Sequence, residues 1–313
     1  MHLYPSLRGR VVIVTGAGRG FGRLMSLALA SQGACVVGTS GRNRAELEAT
    51  GADVAAAARA AGQGGRFVGT LADVSREQDC EATAALARRT FGRIDALVNN
   101  AARGPLEANA NYFNEKPKFW ATPPAAYRTM VETNLIGVFL MTRAVVPGMV
   151  EQRFGRIISI STSNPTMVMQ GLAAYGATKA GLEASTVLWA RDLEGTGVTA
   201  NVLLPGGPAD TALIPGGVIG TRAKADFQPG KGPVGDEGRV GGILPADVIV
   251  PPTLWLCADD SAAFNGRRLV GKDWDPGLSP ELAVARAMQP PVSYTHLRAH
   301  ETKANLVCRL LLE

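Results

Sequence analysis

The sequence predicts an α/β protein in which helices cover both faces of one seven-stranded, doubly wound parallel sheet. Short runs rich in β-branched residues alternate along the chain with longer runs rich in Ala, Leu and Arg, the pattern of repeated strand–helix–strand units. Several of the short runs are apolar throughout, which is typical of strands buried on both faces. With 313 residues, of which 46% are hydrophobic and 19% charged, the chain is long enough for one large domain with a sizeable core.

The predicted elements follow this alternation from the N-terminus. Seven strands are predicted, at residues 11–15, 34–39, 66–70, 94–99, 155–161, 199–204 and 267–270. Gly33 is expected to end the first helix, and Ser75–Gln78 is expected to form a capping box for a helix that ends near Phe91. A long helix is expected over residues 122–149, with Thr and Pro at its start.

Residues 1–291 are predicted to form a single domain, and two segments within it interrupt the alternation. They are an aromatic loop at 103–122 and a Gly/Pro-rich loop at 206–242. Because ligands of open α/β sheets bind at the carboxyl ends of the strands, both loops are expected to wall a substrate site, the alternative being ordinary surface insertions. Residues 292–313 resemble translated sequencing-adapter read-through and are expected to be a non-native tail, the alternative being a genuine amphipathic helix.

The distribution of histidine and cysteine excludes several kinds of site. All three histidines lie near the chain ends, at His2, His296 and His300, so imidazole chemistry is not available to the body of the fold. This excludes a Ser-His-Asp hydrolase and argues against a His-built zinc site. The four cysteines are far apart, without a CxxC pair, so neither disulfides nor any metal site is expected.

The charge and hydropathy patterns argue against nucleic-acid and membrane partners. The net charge of +5 comes from scattered arginines rather than from a basic run, which is a poor match to a nucleic-acid site but is compatible with an anionic ligand. We find no signal peptide, and the longest apolar stretch, 248–257, is interrupted by Pro251 and Pro252. No membrane span is therefore expected, and a cytoplasmic protein is predicted.

A glycine-rich turn between the first strand and the first helix predicts a dinucleotide site. Residues 15–22 read Thr-Gly-Ala-Gly-Arg-Gly-Phe-Gly. Glycines let the backbone approach a pyrophosphate, and the amide groups at the start of the helix attract its charge. The candidate cofactor-binding residues here are Gly16, Arg19, Gly20, Phe21 and Gly22. The alternative is a tight turn without a ligand.

The end of the second strand indicates NADP(H) in preference to NAD(H). An acid at this place accepts hydrogen bonds from the ribose 2′-hydroxyl, whereas basic residues neutralise a 2′-phosphate. Residues 38–44 read Gly-Thr-Ser-Gly-Arg-Asn-Arg, and no acid precedes Glu46. Arg42, together with Arg19, is therefore a candidate for the phosphate contact. Both arginines could instead be solvated surface charges.

Tyr175 and Lys179 are candidates for proton transfer, because residues four apart share one face of a helix. Reduction of a carbonyl by hydride builds negative charge on its oxygen, which a nearby acid must quench with a proton. A tyrosine that does so near neutrality needs a pKa about 2 to 3 below its usual value of about 10, and a fixed ammonium group can lower it. The alternative for Tyr175 is a packing side chain at a helix start.

Several motifs in order along residues 8–290 resemble the short-chain dehydrogenase/reductase family. They are the glycine turn at 15–22, Asp73, Asn-Asn-Ala-Ala at 99–102, Asn134, the Ser/Thr cluster at 161–163, Tyr-Gly-Ala-Thr-Lys at 175–179 and Pro-Gly-Gly-Pro-Ala-Asp-Thr at 205–211. The resemblance implies a single Rossmann-type sheet with strand order 3-2-1-4-5-6-7. It also implies that Lys179 hydrogen-bonds the nicotinamide ribose and that Asn134 holds a water linking this lysine to solvent.

Further cofactor contacts are implied by the same resemblance. Asp73 and Val74 would contact the adenine, and Asn100 and Ala101 would form the ribose wall. The turn after the sixth strand would add Pro205, Gly206 and Thr211, although Thr211 stands one residue later than the commonest family spacing.

The serine that polarises the substrate carbonyl is the main departure from the family pattern. In the family it lies 13 residues before the Tyr, which here is Thr162, flanked by Ser161 and Ser163. The extra methyl group of Thr restricts χ1 and crowds the site, so we expect Ser163 to take this role in preference to Thr162. The alternative is a strand-end hydroxyl without a catalytic role.

The predicted function is an NADP(H)-dependent oxidoreductase that interconverts a secondary alcohol and a ketone, with Tyr175 as general acid and base. The alternative is a catalytically silent dinucleotide-binding sensor or scaffold. Aromatic residues at 112–120 indicate an apolar small-molecule substrate. A homodimer or homotetramer is implied by the family, through the helices at 125–149 and 176–193, the alternative being burial of their apolar faces within the chain. Those faces include Val138, Phe139, Val145, Leu182 and Val187.

Overall fold

The computed structural model of the chain describes residues 2–112, 115–211, 213 and 243–290. The predicted tail at 292–313 and most of the predicted loop at 206–242 lie outside the described residues.

One sheet of eight strands organises the described part of the chain. The strands are β1 Val11–Val14, β2 Cys35–Ser40, β3 Arg66–Leu71, β4 Ala96–Asn99, β5 Gly155–Ile160, β6 Val198–Leu204, β7 Arg268–Val270 and β8 Met288–Gln289. Their order is β3-β2-β1-β4-β5-β6-β7-β8, and β1 to β7 are parallel. This confirms the predicted fold class and strand order. Strand β8 was not predicted; it pairs antiparallel with β7, with Met288 opposite Leu269.

Helices cover both faces of this sheet, as its apolar strands predict. They are α1 Gly20–Ser31, α2 Arg44–Ala61, α3 Glu77–Phe91, α4 Pro124–Val131, α5 Gly137–Glu151, α6 Asn164–Met167, α7 Ala173–Asp192, α8 Val250–Cys257 and α9 Pro280–Ala287. Alternate residues of β1 point to opposite faces. Val12 and Val14 pack in one core with α1, α2, α8 and α9, whereas Val11 and Ile13 pack in the other with α3, α5 and α7.

Three helix ends can be compared with their predictions. Gly33 follows α1 with φ +91°, the left-handed conformation expected after a helix. Helix α3 ends at Phe91 as predicted, but the capping box at Ser75–Gln78 is wrong. The helix starts without a side-chain cap, because the Ser75 hydroxyl donates instead to Asp73 Oδ1 at 2.7 Å.

The long helix starts at Pro124, two residues later than predicted, and is not uniform. A π-helical segment, Glu132–Ile136, separates α4 from α5. By length and composition the whole stretch Pro124–Glu151 could cross a membrane, with a mean hydropathy of 1.4 over its most apolar window, 44% of which is buried. It is longer than the 248–257 stretch singled out in the sequence. Its buried side packs against α3, β4, β5 and α7, which accounts for that composition in a core helix.

The apolar faces of α5 and α7 are only partly open to a second subunit. Val138, Val145, Leu182 and Val187 are buried within the chain, as the alternative of burial expects. Phe139 is 49% exposed and lies on the outside with Ile136 and Leu188.

Candidate active site

The glycine turn after β1 is shaped by close backbone contacts. Gly16 and Gly20 have φ +67° and +53°, which side chains disfavour. A Cβ on Gly22 would lie 2.1 Å from the carbonyl oxygen of Gly16, so only glycine fits there. Phe21 packs against the core beneath the turn. The sequence therefore specifies glycine where the chain folds back on itself.

The start of α1 offers backbone donors to an anion. Its N-cap residue, Arg19, makes no side-chain cap hydrogen bond, and the first amide groups of any α-helix lack partners within the helix. A Cβ on Gly20 would meet Thr211 Cβ at 3.5 Å, so Thr211 from the loop after β6 borders the same cleft. Unpaired helix donors beside a glycine turn fit the pyrophosphate of a dinucleotide.

Asn100 and Ala101 hold the glycine turn from below. The Asn100 side-chain amide donates to the carbonyls of Thr15 and Gly16 at 2.8 and 3.1 Å. The backbone amides of Asn100 and Ala101 both donate to Thr15 Oγ1, at 2.9 and 3.0 Å. The Asn100 side chain therefore positions the turn itself.

Arg19 and Arg42 are the most exposed candidates at the cofactor site. Their side chains are 64% and 73% exposed, and each has one carboxylate nearby. Arg19 Nη1 lies 3.6 Å from Glu46 Oε1, and Arg42 Nη2 lies 3.9 Å from Glu107 Oε1. Exposed pairs at such distances contribute little, so a phosphate could displace both carboxylates. Glu107, from the aromatic loop, was not identified from the sequence.

Asp73 and Val74, the expected adenine contacts, follow β3. Asp73 Oδ1 accepts from the backbone and the hydroxyl of Ser75, at 3.0 and 2.7 Å. The Val74 side chain is buried against the long helix, 2.8 Å from where a Cβ on Gly137 would stand. The structure therefore gives Asp73 a turn-forming role, and Val74 has little side-chain surface left for a ligand.

Pro205 and Gly206 form the turn after β6. The Pro205 carbonyl accepts from the backbone of Lys272 at 3.0 Å. Gly206 has φ +98°, and a Cβ there would lie 2.6 Å from the Lys272 side chain. The turn is thereby packed against the segment after β7. From this turn the chain continues towards Thr211.

Tyr175 and Lys179 lie on one face of α7, both buried. Lys179 Nζ is 5.8 Å from the Tyr175 ring centroid. It donates to the carbonyl of Ile160, at the end of β5, at 2.7 Å. An ammonium group has three donors, so this bond leaves two for a ligand.

The pKa values of this pair differ from the expectation. Burial raises the pKa of Tyr175 to about 12, against the opposing effect of its hydrogen bond with Thr162. Burial lowers the pKa of Lys179 to about 8, against the opposing charge of Glu183. The expected acidic phenol is therefore wrong for the protein alone, because burial disfavours the charged form of each group.

The structure brings Thr162, and not Ser163, to the phenol. The Thr162 hydroxyl lies near enough to the Tyr175 phenol to lower its pKa, whereas Ser163 Oγ pairs with Thr166 Oγ1 at 2.8 Å. Ser161 Oγ donates to Glu183 Oε1 at 2.7 Å, away from the phenol. The preference for Ser163 is thus corrected in favour of Thr162, because Ser163 already lies at the N-cap of α6.

Asn134 lies in the π-helical segment, fully buried. Its side chain accepts from the backbone amide of Arg103 at 2.7 Å and donates to the Arg103 carbonyl at 2.9 Å. It also donates to Thr178 Oγ1, next to Lys179 in sequence, at 3.3 Å. Asn134 therefore ties the start of the aromatic loop to α7.

The aromatic loop lies against Tyr175. Residues of this loop, of the segment before α7 and of the first turn of α7 line a small hollow beside Tyr175, together with Met130: Pro105, Ala108, Thr122, Gly171, Leu172 and Ala174. Phe119, Trp120 and Val168 are each more than two-thirds exposed. The hollow beside Tyr175 is accordingly mostly apolar.

Two charged residues under the site were missed from the sequence. Glu183 and Arg268 form a buried ion pair, and Arg268 Nη2 donates to the Thr162 carbonyl at 3.1 Å. The spacing of Glu183 four residues after Lys179 is a signal that could have found it. Arg268 has no such signal, since it comes from β7.

Comparison with known proteins agrees with this geometry. The family model described as short chain dehydrogenase matches residues 10–214. The 3-oxoacyl-(acyl-carrier-protein) reductase FabG of Escherichia coli is 32% identical over 265 residues, 84% of this chain and 96% of that protein. A short-chain type dehydrogenase/reductase of Picea abies is 33% identical over 210 residues, 67% of this chain and 74% of that protein.

Two solved structures share the fold. Levodione reductase superposes with a TM-score of 0.69 at 25% identity, covering 84% of this chain and 95% of that one. A metagenomic short-chain oxidoreductase in complex with NADP has a TM-score of 0.57 at 32% identity, covering 65% and 85%. From the family match, the relatives and the shared sheet, this chain belongs to the short-chain dehydrogenase/reductase family of oxidoreductases.

Proposed function

We propose that the chain is an NADP(H)-dependent oxidoreductase that interconverts a secondary alcohol and a ketone. The observation that carries this proposal is the buried pair of Tyr175 and Lys179 on one face of α7, with Lys179 Nζ 5.8 Å from the Tyr175 ring centroid. The Thr162 hydroxyl lies near the same phenol, so the two hydroxyl groups can converge on one carbonyl oxygen. Residues 1–291 would act as one catalytic domain, with the loops at 103–122 and 206–242 as substrate walls.

The residues divide the reaction between them. A bound nicotinamide dinucleotide supplies the hydride in reduction and accepts it in oxidation. Tyr175, protonated at neutral pH because its pKa is about 12, donates its proton to the carbonyl oxygen as negative charge develops there. Thr162 donates a hydrogen bond to the same oxygen and orients it. Lys179 holds positive charge near the phenolate that forms and stabilises it.

The dinucleotide would bind along the glycine turn. Backbone donors at the start of α1 would hold its pyrophosphate, and Arg19 and Arg42 would hold a 2′-phosphate. NADP in a solved relative supports this preference. Asp73, Asn100, Pro205 and Thr211 remain proposed contacts along the same cleft.

A panel of carbonyl and alcohol substrates tests the function. Ketones, secondary alcohols and a 3-oxoacyl thioester, the class named for the FabG relatives, would be assayed with NADPH and NADH by nicotinamide absorbance. Turnover of an apolar ketone with NADPH supports the proposal. Nucleotide binding without turnover across the panel would favour the silent sensor or scaffold.

Arg42→Ala is expected to raise the KM for NADPH by about 10- to 100-fold, the effect of losing a charge-assisted phosphate contact. The KM for NADH should hardly change, because that cofactor has no 2′-phosphate. Steady-state kinetics with both cofactors measures the difference. Arg23→Ala is the matched control, since Arg23 is an exposed arginine near the same turn that pairs with Asp53 at 2.7 Å. Equal losses with both cofactors would contradict the phosphate role of Arg42.

Nucleotide affinity is expected to fall as the pH rises through about 8. Lys179 carries its charge below its pKa of about 8 and loses it above that value, and a neutral amine is the weaker partner for the ribose. The expected loss is about five- to tenfold. Fluorescence titration with NADH on either side of pH 8 measures it, since the pyrophosphate does not titrate there. Lys179→Met should remove the pH dependence; an unchanged profile would show that another group titrates.

A cytoplasmic homodimer or homotetramer is part of this proposal. Ile136, Phe139 and Leu188 leave apolar area exposed on α5, α7 and the π-helical segment between α4 and α5, and a homodimer or homotetramer would cover it.

A further inference from the structure

The ion pair under the active site, Glu183 with Arg268, is almost fully buried. Arg268 Nε lies 3.1 Å from Glu183 Oε1, and the two side chains are 1% and 0% exposed. A buried ion pair often stabilises a protein no more than apolar residues of the same volume would. Stability alone therefore does not account for this pair.

Arg268 reaches the backbone around Thr162. Its Nη2 donates to the Thr162 carbonyl at 3.1 Å and to Asn164 Oδ1 at 2.8 Å. Its Nη1 donates to Gln289 Oε1, on β8, at 2.7 Å. The planar fork of a guanidinium group fixes the directions of these bonds, so Arg268 fixes the segment after β5 from the sheet side.

Glu183, on α7, binds the segment after β5 from its other side. Its Oε1 accepts from Ser161 Oγ at 2.7 Å, in addition to Arg268. Ser161, the Thr162 carbonyl and Asn164 are thus bound to the ion pair, while the Thr162 hydroxyl lies near the Tyr175 phenol. The pair leaves that hydroxyl available and fixes the backbone that carries it.

Glu183 also acts on the charge of Lys179. It follows Lys179 by one helical turn, and its negative charge opposes the lowering of the Lys179 pKa by burial. Among the described residues, Tyr175 on α7 is the other ionisable group beside this lysine, with its ring centroid 5.8 Å from Lys179 Nζ, and Arg268 on β7 lies against Glu183. The segment after β5 contributes only uncharged side chains, and Glu132 of the π-helical segment is exposed.

We propose that Glu183 and Arg268 are positioning residues for the reaction: Arg268 places Thr162 for the carbonyl oxygen, and Glu183 keeps Lys179 charged. This inference rests on the proposed function, because it assigns the pair to the geometry of Tyr175, Thr162 and Lys179. Because the two side chains are 1% and 0% exposed, the pair would act through Thr162 and Lys179.

Glu183→Gln keeps the size of the side chain and an acceptor for Arg268 but removes the charge. We expect kcat to fall about 10- to 100-fold through misplacement of the site. We also expect the pH midpoint for NADH binding to move down by about one unit, because Lys179 loses the charge that opposes burial. Arg268→Lys keeps the charge and loses the fork, so kcat should fall while the pH midpoint stays.

Asp95→Asn is the matched control for a structural role. Asp95 is another fully buried carboxylate, paired with Arg10 at 3.1 Å and Arg93 at 2.6 Å at the opposite end of the strands. Its replacement should lower thermal stability without moving the pH midpoint. If Glu183→Gln behaves in the same way, the pair is structural only and the inference is overturned.

A double variant keeps the test decisive if a single variant fails to fold. Glu183→Gln with Arg268→Met leaves no unpaired buried charge, so it should fold, bind NADH with the lowered pH midpoint and turn over slowly. Wild-type kcat and pH dependence in this variant would refute the inference. Undiminished turnover by Tyr175→Phe would instead refute the proposed function, so the two failures are distinguishable.

Discussion

Replacing Tyr175 with phenylalanine is expected to lower kcat for ketone reduction by about 10²- to 10⁴-fold, the usual contribution of a positioned general acid. The phenol is buried beside an apolar hollow, so water cannot easily take its place as the proton donor. The affinity for the dinucleotide should be kept, because the change removes one oxygen atom and leaves the glycine turn intact. Single-turnover reduction and fluorescence titration with NADPH measure the two effects separately.

Tyr127→Phe is the control for this prediction. Tyr127 is 41% exposed on α4, so loss of its hydroxyl should leave kcat unchanged. A Tyr175→Phe variant as active as the Tyr127→Phe variant would exclude Tyr175 as the proton donor and would favour a silent nucleotide-binding protein.

Thr162→Val is expected to lower kcat by about 10²- to 10³-fold, the usual effect of removing one donor to a developing oxyanion. Valine keeps the branched shape but has no hydroxyl, so it can neither orient the carbonyl nor bond to Tyr175. Thr162→Ser restores the hydroxyl and should keep most of the activity. The kcat values of the two variants, measured with one ketone, isolate the hydroxyl from the methyl group.

Ser163→Ala completes this comparison. Ser163 Oγ bonds to Thr166, so its loss should change kcat little and affect mainly the start of α6. A large loss in Ser163→Ala together with a small loss in Thr162→Val would return the carbonyl-orienting role to Ser163, as expected from the sequence.

The fold class could be predicted because its causes are local or periodic, whereas the strand order followed from the resemblance to the family. Both faces of each central strand are buried, so runs such as Val11–Val14 are apolar without alternation. Gly22 is required by a contact with Gly16 only six residues away. Strand β8 has two residues, too few for any periodicity, and its pairing depends on where β7 already lies.

The predicted capping box at Ser75–Gln78 was wrong for a related reason. Ser75 has the residue type and the spacing for a cap, but Asp73 is near enough to take its hydroxyl as a donor. A short polar side chain has several backbone and side-chain partners within reach, and the choice among them depends on the exact path of the loop.

The sequence by itself determined which groups are present and which of them share an element: the glycines of the turn, and Tyr175 and Lys179 on one face of α7. Such relations depend on backbone geometry over a few residues. The tertiary structure decided which hydroxyl meets the phenol, how burial changes the pKa of Tyr175 and Lys179, and that Arg268 of β7 lies under Thr162. These depend on distances and on exclusion of water between elements far apart in the chain, which only packing sets.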